Sequence, residues 1–377
     1  MARYRFHVFS GTGNTMHLAR SLAARLEASS AGKAASPGGE PAGGASLRSE
    51  FVEVGEAEIG RLRRGEGSSF SLADGSGPGS DLDFFLFPVF AMSVPRIMIR
   101  YIRALGRARP KGASGAKPRA AVLSTNGRIS ERYRDGHEGQ SLAQAERMLR
   151  RRGWEVVYRD SFDYPQSIAS IIKIQDEDRK AAIMALAEPR IEELAGKLAS
   201  GEALRRPCRA WAQLVGWSFG WLYSIFGRRF LAMLYAADSS CDGCGLCARR
   251  CPAGAIRLRG RVPDWSYACE GCERCINACP KEAIQTSILR LAAFSAVFLA
   301  IELCPLKSDL NSFLGFLPAL CFEPFWFVAS AVLGFAIMRL VDLLLVALGR
   351  FKALRNVLAF GWTKWTGRYR APVGAKE

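Results

Sequence analysis

Hydrophobic positions follow two rhythms in the first half of the chain. Tyr4 to Phe9 is a short apolar run that reads as a strand. Met16, Leu18, Ala19, Leu22, Ala23 and Leu26 then recur at helical spacing. Phe51 to Val54 predicts a second strand. "LDFFLFPVF" (Leu82 to Phe90) is nearly continuous in apolar residues, as a strand buried on both faces requires. A helix is expected over about Pro95 to Leu105, and "RAAVLST" (Arg119 to Thr125) predicts another strand, ending in "NGR". Leu142 to Arg152 reads as a helix, "WEVVYRD" as a strand, and Asp176 to Leu198 as a long amphipathic helix. Strands alternating with helices predict an α/β domain with a parallel sheet of about five strands.

Between and beyond these elements the pattern changes. Ala28 to Glu50 is rich in Ala, Gly, Ser and Pro without an apolar period, and is expected to be a disordered surface insertion. Arg61 to Ser80 is a second loose segment. Ala203 to Ala237 is a tryptophan-rich helical connector, and a basic tail follows the strongly hydrophobic Ile288 to Leu348. The expected organisation is a domain over residues 1–200 (insertion 28–50), a connector over 201–237, a cysteine-rich domain over 238–287, a hydrophobic helical hairpin over 288–349 and a tail over 350–377.

The hairpin expectation comes from counting. Ile288 to Pro305 carries charge only at Arg290 and Glu302; Phe325 to Leu348 carries only Arg339 and Asp342, three apart on one helical face and able to pair. A membrane span needs about 20 apolar residues, so the second is long enough and the first is marginal. The intervening loop holds one Lys, one Asp and one Glu, whereas the tail from Gly349 holds seven Lys/Arg and one Glu. The positive-inside rule then places both ends of the hairpin, and everything before it, in the cytoplasm. Charges and glycines in the first 15 residues do not make a signal peptide, in keeping with that placement. Ala210 to Gly227, though apolar, is expected to be interfacial or buried.

Composition adds a sign. The 377 residues carry 52 Lys+Arg against 35 Asp+Glu, a formal net charge of +17. Such a balance favours an anionic membrane surface, an acidic protein or nucleic acid. Nucleic acid is the weakest of these, because the basic residues are dispersed and no helix-turn-helix or zinc-finger pattern is present. The three histidines, His7, His17 and His137, are scattered, and His7 is expected to be an ordinary sheet residue.

The first chemistry-bearing motif is "FSGTGNT", a loop between strand and helix. It lacks the lysine of a nucleotide-triphosphate loop and has Met16 at the third glycine of a dinucleotide fingerprint. Ser10, Gly11, Thr12, Gly13, Asn14 and Thr15 remain, offering amides, hydroxyls and a helix dipole to a phosphate. The loop resembles the flavodoxin phosphate loop, S/T-x-T-G-x-T, at every fixed position. That resemblance implies FMN, with its ring between the loops after the third and fourth strands. These are "PVFAMS" (Pro88, Val89, Phe90, Ala91 and on to Ser93) and "STNGR" (Ser124, Thr125, Asn126, Gly127, Arg128), with Phe90 as the stacking aromatic.

The second motif is doubled. Of 11 cysteines, eight stand as Cys241-x-x-Cys244-x-x-Cys247-x-x-x-Cys251-Pro and, 28 residues on, Cys269-x-x-Cys272-x-x-Cys275-x-x-x-Cys279-Pro. In a reducing compartment this reads as metal ligation rather than disulfides. Two zinc sites would have no use for the third cysteine of each triplet. The spacing is that of the bacterial two-cluster ferredoxin run. The run implies crossed ligation of two [4Fe–4S] clusters, one by Cys241, Cys244, Cys247 and Cys279, the other by Cys269, Cys272, Cys275 and Cys251. Cys208, Cys304 and Cys321 fall outside it and are expected to be plain apolar residues. Arg249, Arg250 and Lys281 lie among the ligands, where positive charge favours reduced clusters if it is not simply a solvated face.

Together, "FSGTGNT", "FPVFAMSVPRI", "CDGCGLCARRCPAGAI" and "VPDWSYACEGCERCINACPKEAIQTS" resemble the flavodoxin–ferredoxin fusion family over roughly residues 1–287. The resemblance implies a doubly wound parallel sheet followed by a small α+β two-cluster ferredoxin domain. It implies electron transfer between FMN and two [4Fe–4S] clusters but supplies no partner; redox proteins are the expected partners, and the hydropathy and charge count above, not the resemblance, set the cofactor domains on the cytoplasmic side of a membrane. A carrier ranks ahead of a flavin-dependent reductase of a quinone or small acceptor, because no acid–base pair stands near the flavin loops, and ahead of a redox-sensing protein.

Overall fold

The structure, a computed structural model, describes residues 3–34, 48–65, 82–107, 117–128, 137–313, 319–349 and 351–370. The chain divides into two compact units: residues 1–168 with 174–224 and 369–377, and residues 169–173 with 225–368.

The first unit is built on β1 (Arg3–Val8), α1 (Asn14–Ala34), β2 (Arg48–Glu53), α2 (Glu56–Arg63), β3 (Leu82–Pro88), α3 (Arg96–Ala104), β4 (Arg119–Arg128), α4 (Ser141–Arg151), β5 (Glu155–Pro165), α5 (Glu177–Ser200), β6 (Leu204–Arg205) and α6 (Ala210–Leu222). The strands form one sheet in the order β2-β1-β3-β4-β5-β6, and every pairing is parallel. This is the flavodoxin-like doubly wound arrangement. The near-continuous apolar run of β3 follows from it: Phe84, Phe85, Leu86 and Phe87 are fully buried because helices cover both faces. Each such side chain contributes about 1.5–3 kcal/mol of burial. The one charge in β3, Asp83, is held by His7 at 3.3 Å and the Trp154 indole at 3.3 Å. His7 in turn lies 2.7 Å from the Tyr101 hydroxyl, so it is the satisfied sheet residue expected of it. Asp176 caps α5 by accepting from the Arg179 amide, and Gly201 ends the helix at φ 76°.

Three expectations shift. The segment expected to be disordered from Ala28 is helical to Ala34 and a strand from Arg48, because an alanine-rich stretch costs a growing helix little; residues 35–47 lie outside the described residues, as do 66–81 of the second loose segment. A two-residue β6 makes the sheet six-stranded rather than five. β4 runs on through "STNGR", so Ser124 to Gly127 belong to the carboxyl end of a strand, not to a free loop.

The second unit begins with a single π-helical turn (Tyr223–Gly227), whose first two residues still belong to the first unit. It continues with α7 (Arg228–Leu234), β7 (Tyr235–Ala237), α8 (Leu246–Arg249), β8 (Ile256–Arg259), β9 (Val262–Trp265), α9 (Arg274–Ala278), β10 (Ile284–Thr286), α10 (Ile288–Glu302), α11 (Leu306–Phe313), α12 (Ala319–Leu348), α13 (Lys352–Leu358) and α14 (Thr363–Thr366). β7 pairs antiparallel with β10, and β8 with β9. The cysteine-rich segment is thus the small α+β domain that the resemblance implied. Met233, Phe335 and Met338 form a core with Phe226, Phe230 and Phe294, joining α7, α10 and α12.

Both hydrophobic segments are helices, with different lengths from those expected. α10 has 15 residues, about 22 Å against a hydrocarbon core of about 30 Å. α12 has 30 residues with Pro324 inside. Among the described residues, Phe322–Leu345 is the stretch long and apolar enough to cross a membrane, with hydropathy 2.1 over its most apolar window and a third of that window buried. Asp342 pairs chiefly with Arg290 of α10 at 2.6 Å, and Arg339 reaches Asp264 of β9 at 3.2 and 3.3 Å. Arg339 and Asp342 approach each other only to 3.8 Å. Charges on one helical face have found closer partners on other elements.

Candidate functional site

The first site is assembled at the carboxyl ends of β1, β3 and β4, where the strand order reverses. Gly13 turns the chain at φ 104°, and Ser10 accepts hydrogen bonds from the amides of Gly13 (3.1 Å) and Met16 (3.4 Å). His17 N–H bonds the Gly13 carbonyl at 2.9 Å, so the Asn14 and Thr15 amides lie at the open N-terminus of α1. Thr12 is half-exposed at this opening. Thr15 is buried, its hydroxyl 2.8 Å from that of Thr125 on β4. Asn14 spends its side chain on the protein: Nδ2 donates to the Pro165 carbonyl at 3.0 Å, and Oδ1 accepts from the hydroxyl of Tyr369. Tyr369, from the chain's far end, is buried. Nothing in its sequence surroundings marked it, since its role exists only through a contact across the whole length of the chain.

The second segment is tied to the same point. Pro88 ends β3, and Val89 N–H bonds the Thr125 carbonyl at 2.9 Å. Phe90 and Ser93 exchange backbone bonds of 3.1 and 3.0 Å, which closes a tight loop. Ala91 (φ 46°) and Met92 (φ 61°) adopt left-handed conformations that non-glycine residues rarely take. Phe90 is half-buried, edge-on to Phe9 at 6.1 Å and to Tyr223 at 6.5 Å. The third segment is a polar ladder. Ser124 donates to Ser161 at 2.8 Å, and Asn126 Nδ2 donates to the same hydroxyl at 2.7 Å. Asn126 Oδ1 is buried and has no hydrogen-bond partner among the described residues. At Gly127, a Cβ would come within 2.6 Å of Gln166 Oε1. The structure therefore brings the three expected segments together, with Thr15, Val89 and Thr125 as the junction. Hydroxyls and amides at a helix N-terminus suit a phosphate, and an orphaned acceptor at a strand end suits a ring N–H, so these residues fit a flavin nucleotide.

The second site is a pair of cavities in the cysteine-rich domain. One is lined by Cys241, Cys244, Cys247 and Cys279, with Leu246, Pro263 and Ile284. The other is lined by Cys251, Cys269, Cys272 and Cys275, with Tyr235 and Trp265. Each last cysteine faces the opposite triplet. Main-chain N–H groups approach the sulfurs, Gly271 to Cys269 at 3.4 Å and Ala255 to Cys251 at 3.3 Å. The Trp265 indole nitrogen is buried beside the second cavity, and its hydrogen bond to Cys275 opposes the burial that pushes that thiol up. Four soft sulfur donors around each of two cavities fit two iron–sulfur clusters. Among the described residues, no three or more His, Cys, Asp or Glu side chains are grouped for one metal ion.

The cavities differ in exposure at one cysteine each: Cys244 is exposed in the first and Cys269 buried in the second, while Cys241, Cys247, Cys279, Cys251, Cys272 and Cys275 are half-buried. Burial pushes the metal-free thiols up, Cys247 to about 11 and Cys272 to about 12, with neighbouring sulfurs adding to the rise and backbone N–H groups opposing it. Metal insertion must therefore release protons. Glu273, between two ligands, is buried, which pushes its carboxyl up to about 7 even though Ser170 donates to it from amide and hydroxyl. Asp264 goes the other way: burial works to raise it, but hydrogen bonds from Arg339 and Arg259 pull it down. Of the basic residues among the ligands, Arg249 donates to the Cys244 carbonyl at 2.8 Å. Outside the two sites, Cys208 is half-buried and Cys304 exposed.

Residues 240–283 match the family model described as a 4Fe-4S dicluster domain. The chain thus joins a flavodoxin-like domain to an iron–sulfur dicluster segment. No curated protein matches it. Solved structures similar to it include an oxidoreductase from Corynebacterium diphtheriae, at 16% identity over 53% of this chain and 96% of that one, TM-score 0.35. An NADH:FMN oxidoreductase in its apo form has 16% identity over 52% and 90%, TM-score 0.33. A Fusobacterium nucleatum flavodoxin bound to flavin mononucleotide has 9% identity over 54% and 99%, TM-score 0.30. At such scores these likenesses decide nothing; the strand order does.

Proposed function

We propose that this chain is an electron-transfer protein that couples FMN to two [4Fe–4S] clusters and is tethered by its C-terminal helices to the cytoplasmic face of a membrane. The observation that carries the reading is the sorting of eight cysteines into two cavities in crossed sets of four. FMN is supported by the convergence of Thr12, Thr15, Thr125 and the orphaned Asn126 oxygen at the switch point of a doubly wound sheet. The tether is supported by the length and hydropathy of α12 and by the basic tail.

Bound together, a flavin exchanges one or two electrons and each cluster exchanges one, which makes a converter between the two kinds of couple. The chain's own residues do the rest. The amides and hydroxyls from Ser10 to Thr15 bind the phosphate without a cation. Phe90 covers the ring, and Asn126 accepts from its edge. Cys241, Cys244, Cys247 and Cys279 hold one cluster, and Cys251, Cys269, Cys272 and Cys275 hold the other. Anaerobic purification in detergent, with iron, sulfide and flavin quantified, is expected to return two clusters and one FMN per chain. Replacing Thr12 and Thr15 together with Ala removes hydrogen bonds to a charged group worth about 1.5–3 kcal/mol each. FMN is then lost on dilution while both clusters remain. Unchanged flavin retention in that variant overturns the flavin site.

A further inference from the structure

α6 has two faces that do different things. Its small residues, Ala212, Gly216 and Gly220, are buried. They sit on the loop after β3: Ser93 Oγ donates to the Gly216 carbonyl at 3.0 Å, and Gln140 Nε2 donates to that carbonyl at 3.0 Å and to Ser93 Oγ at 2.8 Å. The fit leaves no room for a side chain. A Cβ at position 220 would stand 1.8 Å from Ser93 Oγ, and one at 216 would stand 2.7 Å from the Gln140 amide nitrogen. The helix therefore clamps the loop whose strained residues, Ala91 and Met92, lie beside Phe90.

The opposite face is bare and apolar. Trp211, Leu214, Trp217 and Trp221 are between 54% and 70% exposed, with Phe219 at 52% on the flank, and no charged residue occurs from Ala210 to Gly227. A contiguous apolar patch of this size on a soluble surface marks an interaction site. Its composition selects the occupant. Tryptophan, with a large apolar body and one N–H, concentrates where hydrocarbon meets headgroups. Arg209, the residue at the N-terminus of the helix, is exposed, and the chain carries +17, complementary to anionic lipid. Lipid can reach only one side, because the other is hydrogen-bonded to Ser93 and Gln140. That geometry belongs to a helix lying in the membrane plane, not one crossing it.

We infer that α6 is an in-plane membrane contact for an anionic bilayer, and that through Gly216 and Gly220 it buttresses the loop carrying Phe90. The inference goes beyond the C-terminal tether and stands without it; only the link to flavin rests on the proposed FMN site. The test uses the full chain in phosphatidylglycerol-containing vesicles, with the photo-crosslinking residue benzoylphenylalanine at Trp217 or, separately, at Leu344. Lipid adducts at position 217, several-fold more abundant than in purely zwitterionic vesicles, are the expected result. Adducts only to protein at 217, or equal lipid yields in both vesicle types, overturn the inference. The Leu344 arm reports on the tether alone, so adducts at 217 without adducts at 344 sink the tether and leave α6 standing, and the reverse sinks α6. Gly220→Val supplies an independent check: it is expected to lower FMN retention while both clusters and the lipid adducts at 217 persist. FMN retention equal to that of the parent overturns the buttress.

Discussion

Gly243, Gly245 and Gly254 in the first half of the cysteine repeat stand where the second half has Gly271, Glu273 and Glu282. All six are left-handed, at φ 76°, 73° and 56° in the first half and 69°, 57° and 49° in the second. The same three bends therefore occur whether or not the residue favours them. Wrapping a triplet of thiols around a cavity dictates the backbone path, and the side chain is fitted afterwards. In the second half, each glutamate in a left-handed conformation costs about 1–2 kcal/mol. Glu273 offsets this through a buried carboxylate that accepts from the amide and hydroxyl of Ser170. Its half is also the more enclosed, with Cys269 buried where Cys241 is half-buried. One ligand spacing thus serves an open site and an enclosed one.

The largest expected effect tests the crossing itself. Cys251→Ala is expected to abolish the cluster of the second triplet, although Cys251 belongs to the first half by sequence. Half the iron and sulfide is lost, and the remaining spin-resonance signal is that of the more exposed cluster. Loss of the other signal would mean that each half holds its own cluster. A second measurement sharpens the contrast without a mutation. With Cys244 exposed on its rim, the first cluster is expected to be removed first by a chelator under air, followed by iron release and spin resonance. Simultaneous loss, or loss of the second cluster first, would show that exposure of the thiols does not govern lability.

What the sequence disclosed depends on how far each feature reaches along the chain. The cysteine pattern was legible because a metal centre demands fixed residue types at fixed local spacings. The parallel sheet was legible in the double-sided burial of Leu82 to Pro88. The loop proposed for the phosphate was legible because Ser10 to Thr15 form it alone. Contacts between distant residues were not. Tyr369 bonding Asn14, Ser170 bonding Glu273, and Arg290 displacing Arg339 as the near partner of Asp342 each join segments with no shared pattern. The left-handed bends were half legible: glycine signals such a bend, but Glu273 and Glu282 carry no signal at all unless laid over the first half of the repeat. The length of β4 was misjudged because "NGR" has turn composition, while its pairing with β5 through Arg128 and Pro165 continues the ladder regardless.

Replacing the two glutamates with glycine separates strain from interaction. Glu273→Gly recovers the left-handed cost of about 1–2 kcal/mol, less about 0.5–1 kcal/mol for the freer unfolded chain. It forfeits two hydrogen bonds from Ser170, each worth about 0.5–1.5 kcal/mol to a carboxyl that burial has raised to about 7. The expected net is a destabilisation of about 1–2 kcal/mol, read as a lower denaturant midpoint at unchanged slope. A midpoint equal to or above that of the parent would show that Ser170 contributes nothing.

Glu282→Gly is the smallest change and has the opposite sign. Glu282 is exposed. The bonds formed at its backbone survive the substitution: its amide to the Cys279 carbonyl at 3.1 Å, and its carbonyl from Gln285 Nε2 at 2.7 Å and Arg368 Nη2 at 2.9 Å. At the backbone, only the left-handed cost and the unfolded-state entropy change. Relief of about 1–2 kcal/mol against about 0.5–1 kcal/mol leaves a net stabilisation of about 0.5 kcal/mol. Paired denaturation curves of the cluster-loaded parent and variant, run together in triplicate, resolve a shift of that size as a higher midpoint. A midpoint below that of the parent would mean that the Glu282 side chain, like that of Glu273, holds its bend in place, and the contrast between the two halves would then extend to both positions where glutamate replaces glycine.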